Sequence, residues 1–150
     1  MDTVLLERGE HMYILKTEQS FDSAHFLAGY DGKCRNLHGH RWRVIAEIYA
    51  DSLYPDGQLR GMVTDFGDIK QDLKVLADFY DHALIAEEGT LKPVTVKALE
   101  EEDFRIIWVP FRPTAENFSR HFYTLLKEKG YQMHKVSVYE TPNNCAVYCE

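Results

Sequence analysis

The segment His38-Gly39-His40-Arg41-Trp42-Arg43-Val44-Ile45-Ala46-Glu47-Ile48-Tyr49 decides the fold, because it alternates. His40, Trp42, Val44, Ala46 and Ile48 share one parity, and Arg41, Arg43 and Glu47 take the other. Side chains leave an extended backbone on opposite faces with period two, so this is a strand with one face in a core and one in water. Tyr54-Pro55-Asp56-Gly57 closes it as a turn.

Upstream, Tyr13 to Phe26 carries the same signal, with Tyr13, Leu15, Thr17, Phe21 and His25 opposite Lys16, Glu18 and Asp22. A loop marked by Gly29, Asp31 and Gly32 joins the two strands. Downstream the period changes to that of a helix: Phe66, Ile69, Leu73, Leu76 and Tyr80, with Thr64 or Asp65 placed to cap the first turn. Residues 81–113 are the least legible, with a short helix expected over Val94–Glu102 and a short strand over Arg105–Val109. Pro113-Thr114 opens a second long helix, striped by Ala115, Phe118, Phe122 and Leu125 and stopped at Gly130. Gln132–Glu140 and Ala146–Cys149 are two further strands, separated by Thr141-Pro142-Asn143-Asn144. The expected fold is α+β: a largely antiparallel four-stranded sheet with two helices on one face.

A chain of 150 residues makes one domain, expected over 1–150, with residues 1–12 read as a disordered N-terminal extension. The net charge of -7 opposes direct nucleic-acid binding, which needs clustered cations, but leaves room for a small anionic substrate. No apolar run approaches the roughly 20 residues of a membrane span, and no signal peptide is apparent. With Cys34, Cys145 and Cys149 as its only cysteines the chain reads as a reduced, cytoplasmic protein.

The chemistry concentrates in Cys34-Arg35-Asn36-Leu37-His38-Gly39-His40. Histidines two apart on a strand point the same way, and Gly39 between them allows close backbone approach. His25, at the end of the neighbouring strand, offers a third imidazole. Three neutral imidazoles suit Zn²⁺ and leave a fourth position for substrate. A pair of surface histidines shows the same spacing, so spacing does not decide between them. Cys34, between Lys33 and Arg35, reads as a reactive thiolate, as a fourth ligand that closes the site, or as an inert thiol. Asp81-His82 reads as an acid/base pair or as solvated residues at a helix end. Glu140 ends its strand as a carboxylate of open role. Cys145 and Cys149 share strand parity and read as small apolar residues of the core.

Taken in order, Phe21-Asp22-Ser23-Ala24-His25, Cys34–His40, Val63-Thr64-Asp65-Phe66, Asp81-His82, Pro113-Thr114-Ala115-Glu116-Asn117 and Glu140-Thr141 resemble the 6-pyruvoyltetrahydropterin synthase / 6-carboxytetrahydropterin synthase family. The resemblance spans about Tyr13 to Tyr148. It implies the tunnelling fold (T-fold), whose subunits join sheets into a barrel, and a homo-hexamer built as a dimer of trimers with active sites between subunits. It implies zinc on His25, His38 and His40, catalysis by Cys34 with Asp81 and His82, and a pterin held by Glu140 with Thr141 and Thr114 in support. The implied substrate is 7,8-dihydroneopterin triphosphate. Only three residues separate Cys34 from His38, the compact spacing of the branch that cleaves the side chain. That branch releases acetaldehyde and makes 6-carboxy-5,6,7,8-tetrahydropterin for queuosine synthesis; the other retains the side chain as a pyruvoyl group. A zinc-binding protein without catalysis, closed by Cys34, is the reading from a different class. The Ala86–Arg112 insert is longer than in compact members and is expected to reshape the pocket mouth.

Overall fold

A computed structural model describes residues 11–150. Most of the expected 1–12 extension therefore lies outside the described residues. Strand β1 (Tyr13–His25) and strand β2 (His38–Ala50) form a long antiparallel ladder from Tyr13 opposite Ala50 to His25 opposite His38. Helix α1 (Phe66–Tyr80) starts where Asp65 accepts a 2.7 Å hydrogen bond from the Gly67 N–H, so Asp65 rather than Thr64 is the cap. Strand β3 (Ala83–Glu87), helix α2 (Pro93–Glu101) and strand β4 (Ile106–Val109) follow. Helix α3 (Ala115–Glu128) ends before Gly130, whose φ of 102° turns the chain in a conformation that a Cβ disfavours. Strands β5 (Met133–Thr141) and β6 (Asn144–Tyr148) complete the chain as a hairpin.

The sheet has six strands in the order β4-β3-β1-β2-β5-β6, not the expected four. Its β1-β2-β5-β6 portion is antiparallel as the alternation implied, while β3 joins β1 in parallel and β4 joins β3 in parallel. Strand β3 escaped the sequence reading for a physical reason. Its residues Ala83-Leu84-Ile85-Ala86 are covered to some degree on both faces, so they show no alternation. The insert is thus a β–α–β unit that extends the sheet.

Helices α1 and α3 pack on one face, against β1 and against β5 and β6 respectively. Between helices and sheet lie Phe21, Trp42, Phe118 and Phe122, each 0–1% exposed. Phe21 stacks on Trp42 with ring centroids 6.0 Å apart, and Phe118 meets Trp42 edge-on at 5.3 Å. Truncating one such ring to alanine costs about 3–5 kcal/mol, so this cluster is a principal source of stability. Helix α2 differs from the expectation of helices on one face only. Its Val96 and Leu91 of the preceding loop line one cavity with Trp108, and Leu99 shares a cleft with Leu84. Trp108 and Leu84 alternate with the core residues Ile107, Val109 and Ile85, which puts α2 on the opposite side of the sheet. Among the described residues no helix is long and apolar enough to cross a membrane.

Candidate functional site

The ladder of β1 and β2 ends at its most polar buried point. His25 and His38 are direct partners on the last rung, and His40 lies opposite Ser23 on the same face, two residues inward. Gly39 fits where little else would. A Cβ there would stand 3.2 Å from the Ser23 carbonyl oxygen, tighter than ordinary contact. The three rings are mutually close, with centroid separations of 4.6 Å (His25–His38), 5.0 Å (His25–His40) and 4.9 Å (His38–His40).

Hydrogen bonds fix the chemistry of two of them. His25 Nδ1 is 2.8 Å from the Pro113 carbonyl oxygen, and His38 Nδ1 is 2.6 Å from that of Asn36. A carbonyl only accepts, so each Nδ1 carries the proton and donates it. In the neutral ring each Nε2 is then a bare lone pair. Burial, with His38 and His40 adding to it, pushes the His25 pKa down to about 4 against the opposing bond to Pro113. His25 is therefore neutral at physiological pH. Yet His25 Nε2 and His38 Nε2 face each other at 3.1 Å. Two acceptors at that distance repel unless a cation lies between them.

His40 Nε2 joins them from the side. It is buried, makes no aligned hydrogen bond, and lies 3.0 Å from Glu140 Oε1. Burial lowers the His40 pKa, while Glu140 opposes the shift. One donor atom from each of His25, His38, His40 and Glu140 falls within 4.8 Å of all the others. Zn–N bonds of about 2.0–2.1 Å in tetrahedral geometry place nitrogens about 3.3 Å apart, close to the 3.1 Å between His25 Nε2 and His38 Nε2. The donor set fits a metal ion of the zinc type. It also departs from expectation in one respect: the Glu140 carboxylate, read as the pterin anchor, reaches the imidazoles.

Cys34 sits in a short 3-10 turn (Lys33–Arg35), half-buried, outside the four converging donors. Its carbonyl accepts the Leu27 N–H at 2.9 Å, and Arg112 donates to the Ala28 carbonyl at 2.7 Å, so the loop that carries the thiol is braced at both strands of its neck. Asp81 and His82 pair as expected, with His82 Nδ1 2.8 Å from Asp81 Oδ2. The Asp22 N–H bond to Asp81 Oδ1 holds that carboxyl below its usual pKa, with His82 and Arg41 assisting. The pair does not join the imidazoles of its own chain. His82 lines a cleft of about 660 Å³ with Asp22, Arg41 and Leu84, whose parity is opposite to that of the histidines, and the cleft reaches Ser23 and His40 at the sheet end. Thr114 caps α3 by accepting the Asn117 N–H, and Thr141 accepts the Asn144 N–H in the β5–β6 turn. Each hydroxyl proton stays free to donate.

Residues the sequence reading missed act through main-chain oxygens. Pro113 and Asn36 orient the two rings, and their side chains give no hint of it. Asn117, which donates to the Arg112 carbonyl at 2.9 Å, holds the turn that aims Pro113. Only its place in the Pro113-Thr114-Ala115-Glu116-Asn117 motif could have drawn attention to that turn.

A mixed sheet backed by two long helices, with three histidines converging at the end of its central hairpin, defines a tunnelling-fold protein with a donor cluster that could hold a metal. The chain belongs to the 6-pyruvoyl tetrahydropterin synthase family, whose sequence profile matches residues 14–150. It is 37% identical over 142 residues to the 6-carboxy-5,6,7,8-tetrahydropterin synthase of Haemophilus influenzae, covering 93% of this chain and all of that one. The enzyme of the same name from Synechocystis is 32% identical, over 91% and 93% of the two chains. Among solved structures, an uncharacterized protein from Wolinella succinogenes superposes with a TM-score of 0.78 at 20% identity, over 93% of this chain and 99% of that one. The 6-pyruvoyl tetrahydropterin synthase of Plasmodium falciparum gives 0.68 at 23% identity, over 93% and 98%. At those identities the likeness is one of fold.

Proposed function

We propose that this chain converts 7,8-dihydroneopterin triphosphate and water to 6-carboxy-5,6,7,8-tetrahydropterin, acetaldehyde and triphosphate. The observation that carries the reading is the 3.1 Å approach of His25 Nε2 and His38 Nε2, with both Nδ1 protons committed to carbonyls. Such a pair is built to hold a cation. The names of the Haemophilus influenzae and Synechocystis relatives and the three-residue gap between Cys34 and His38 support this choice of reaction.

His25, His38 and His40 hold the ion, which we assign as zinc; when bound, it supplies Lewis acidity toward the oxygens of the substrate side chain. The Cys34 thiol moves a proton at the side chain from its loop beside the metal-binding hairpin. His82, held by the Asp81 carboxylate, moves protons on the other side of the substrate. We assign the pair to the site of a neighbouring subunit in an oligomeric active unit, a reading supported by its absence from the converging donors of its own chain. Glu140 accepts two N–H bonds from the amino-pyrimidine edge of the pterin, a two-point contact that selects shape as well as charge. Its 3.0 Å approach to His40 supports a pterin bound beside the metal ligands.

The test is consumption of 7,8-dihydroneopterin triphosphate by the zinc-loaded protein and by the same protein after chelation. The reading expects turnover that chelation abolishes and zinc restores. Turnover indifferent to the chelator would contradict it.

A further inference from the structure

We propose that Arg105 is a positioning residue for the Asp81–His82 pair, delivered by the β3–α2–β4 unit. The proposal rests on reading that pair as the acid/base couple. Helix α1 ends at Tyr80 with no basic residue in its last turn, so its terminal carbonyls lack a cation of their own. Arg105 supplies one from 24 residues away. Its Nη1 donates to the Asp81 carbonyl at 2.9 Å, and its Nη2 donates to the Phe79 carbonyl. The guanidinium also lies 5.4 Å from the centre of the Phe79 ring. One planar fork therefore spans the helix end and the residue that precedes His82.

The bracing is needed because His82 has a φ of 55°, a backbone conformation that a residue with a Cβ rarely adopts. Such a conformation persists where its surroundings over-determine it. The His82 N–H donates to the Asp22 carbonyl at 2.6 Å, the Asp22 N–H returns to Asp81 Oδ1 at 2.8 Å, and Asp81 Oδ2 holds the His82 ring. Arg105 fixes a further polar group of this corner, the Asp81 carbonyl. It is itself held by its main chain, since its carbonyl accepts the Leu84 N–H at 3.0 Å. Strands β3 and β4 thus lock the arginine in register with the residues it braces. Arg105 and His82 line the same cleft.

A double-mutant cycle on the zinc-loaded enzyme tests this. Arg105→Met should lower kcat at least tenfold with KM and zinc content unchanged, and Arg105→Lys, which cannot span both carbonyls, should fall between. In a His82→Asn background, Arg105→Met should cost nothing further, because the arginine acts through that histidine. An equal loss in both backgrounds overturns the proposal, as does an unchanged kcat or a rise in KM alone, which would put the arginine on substrate. If Arg105→Met does not fold, the lysine variant carries the cycle, with a smaller loss of kcat in the parent background and none in His82→Asn. A His82→Asn enzyme with the parent rate removes the acid/base reading itself, and the proposal with it; a crippled His82→Asn beside a normal Arg105→Met removes the proposal alone.

Discussion

His25 and His38 meet nitrogen to nitrogen at 3.1 Å, while each Nδ1–H donates its hydrogen bond to a carbonyl. Neither ring can satisfy the other. The contact therefore implies a third party, and the rest of the site is arranged around that need. His38→Ala should abolish zinc binding rather than slow turnover, because two imidazoles and a carboxylate in contact with one of them do not replace a three-histidine set. Metal analysis of the purified variant checks this; full occupancy would contradict the ligand assignment.

Cys34→Ala should retain fold and zinc while losing roughly 10²–10⁴ in rate. The thiol stands outside the converging donors, on a loop whose main chain is tied independently of it. Parent-like turnover would remove Cys34 from the mechanism. Loss of zinc would instead restore the closed-site alternative.

Glu140→Gln separates two roles that the geometry brings together. As pterin anchor, the carboxylate loses one charge-assisted contact, weakening substrate binding by about 1.5–3 kcal/mol with zinc retained. Titration with a pterin and metal analysis on the same sample decide it. A variant that purifies without zinc makes Glu140 a ligand.

The metal-free protein should lose stability in mild acid. Folded His25, with its pKa near 4, stays neutral where an unfolded histidine, at its ordinary 6.5, is protonated. Across that window the unfolded chain binds more protons, so stability is complete above the upper value and falls as pH drops toward the lower, by roughly 3 kcal/mol in all. Burial lowers His40 and His121 in the same direction. Urea unfolding of chelated protein should give a lower midpoint near pH 5 than near pH 7. Equal midpoints would show that burial of His25 carries no such penalty.

The sequence revealed much of this because the core strands each face water on one side. Alternation at Phe21, His25, His40 and Trp42 announces which face is buried, and with it the side on which the histidines gather. The starts of both long helices were open to reading, since a short polar side chain before an apolar stripe has a local function, although Thr64 stood beside Asp65 as an equal candidate for the first cap. Strand β3 was not, because cover on both faces erases the period. Nor were Pro113, Asn36 and Arg105, whose contributions pass through carbonyl oxygens of residues far off in sequence or of no distinctive type. The reach of Glu140 to His40 depends on β5 lying beside β2, a long-range pairing that no local pattern encodes.

Product analysis decides whether the three-histidine centre carries a side-chain-cleaving reaction. Zinc-loaded protein incubated with 7,8-dihydroneopterin triphosphate, with an aldehyde trap present, should yield trapped acetaldehyde in equal amount to a pterin carrying a carboxylate at its 6-position, as read by mass spectrometry. A tetrahydropterin that keeps all three side-chain carbons as a pyruvoyl group, with no aldehyde trapped, would contradict it.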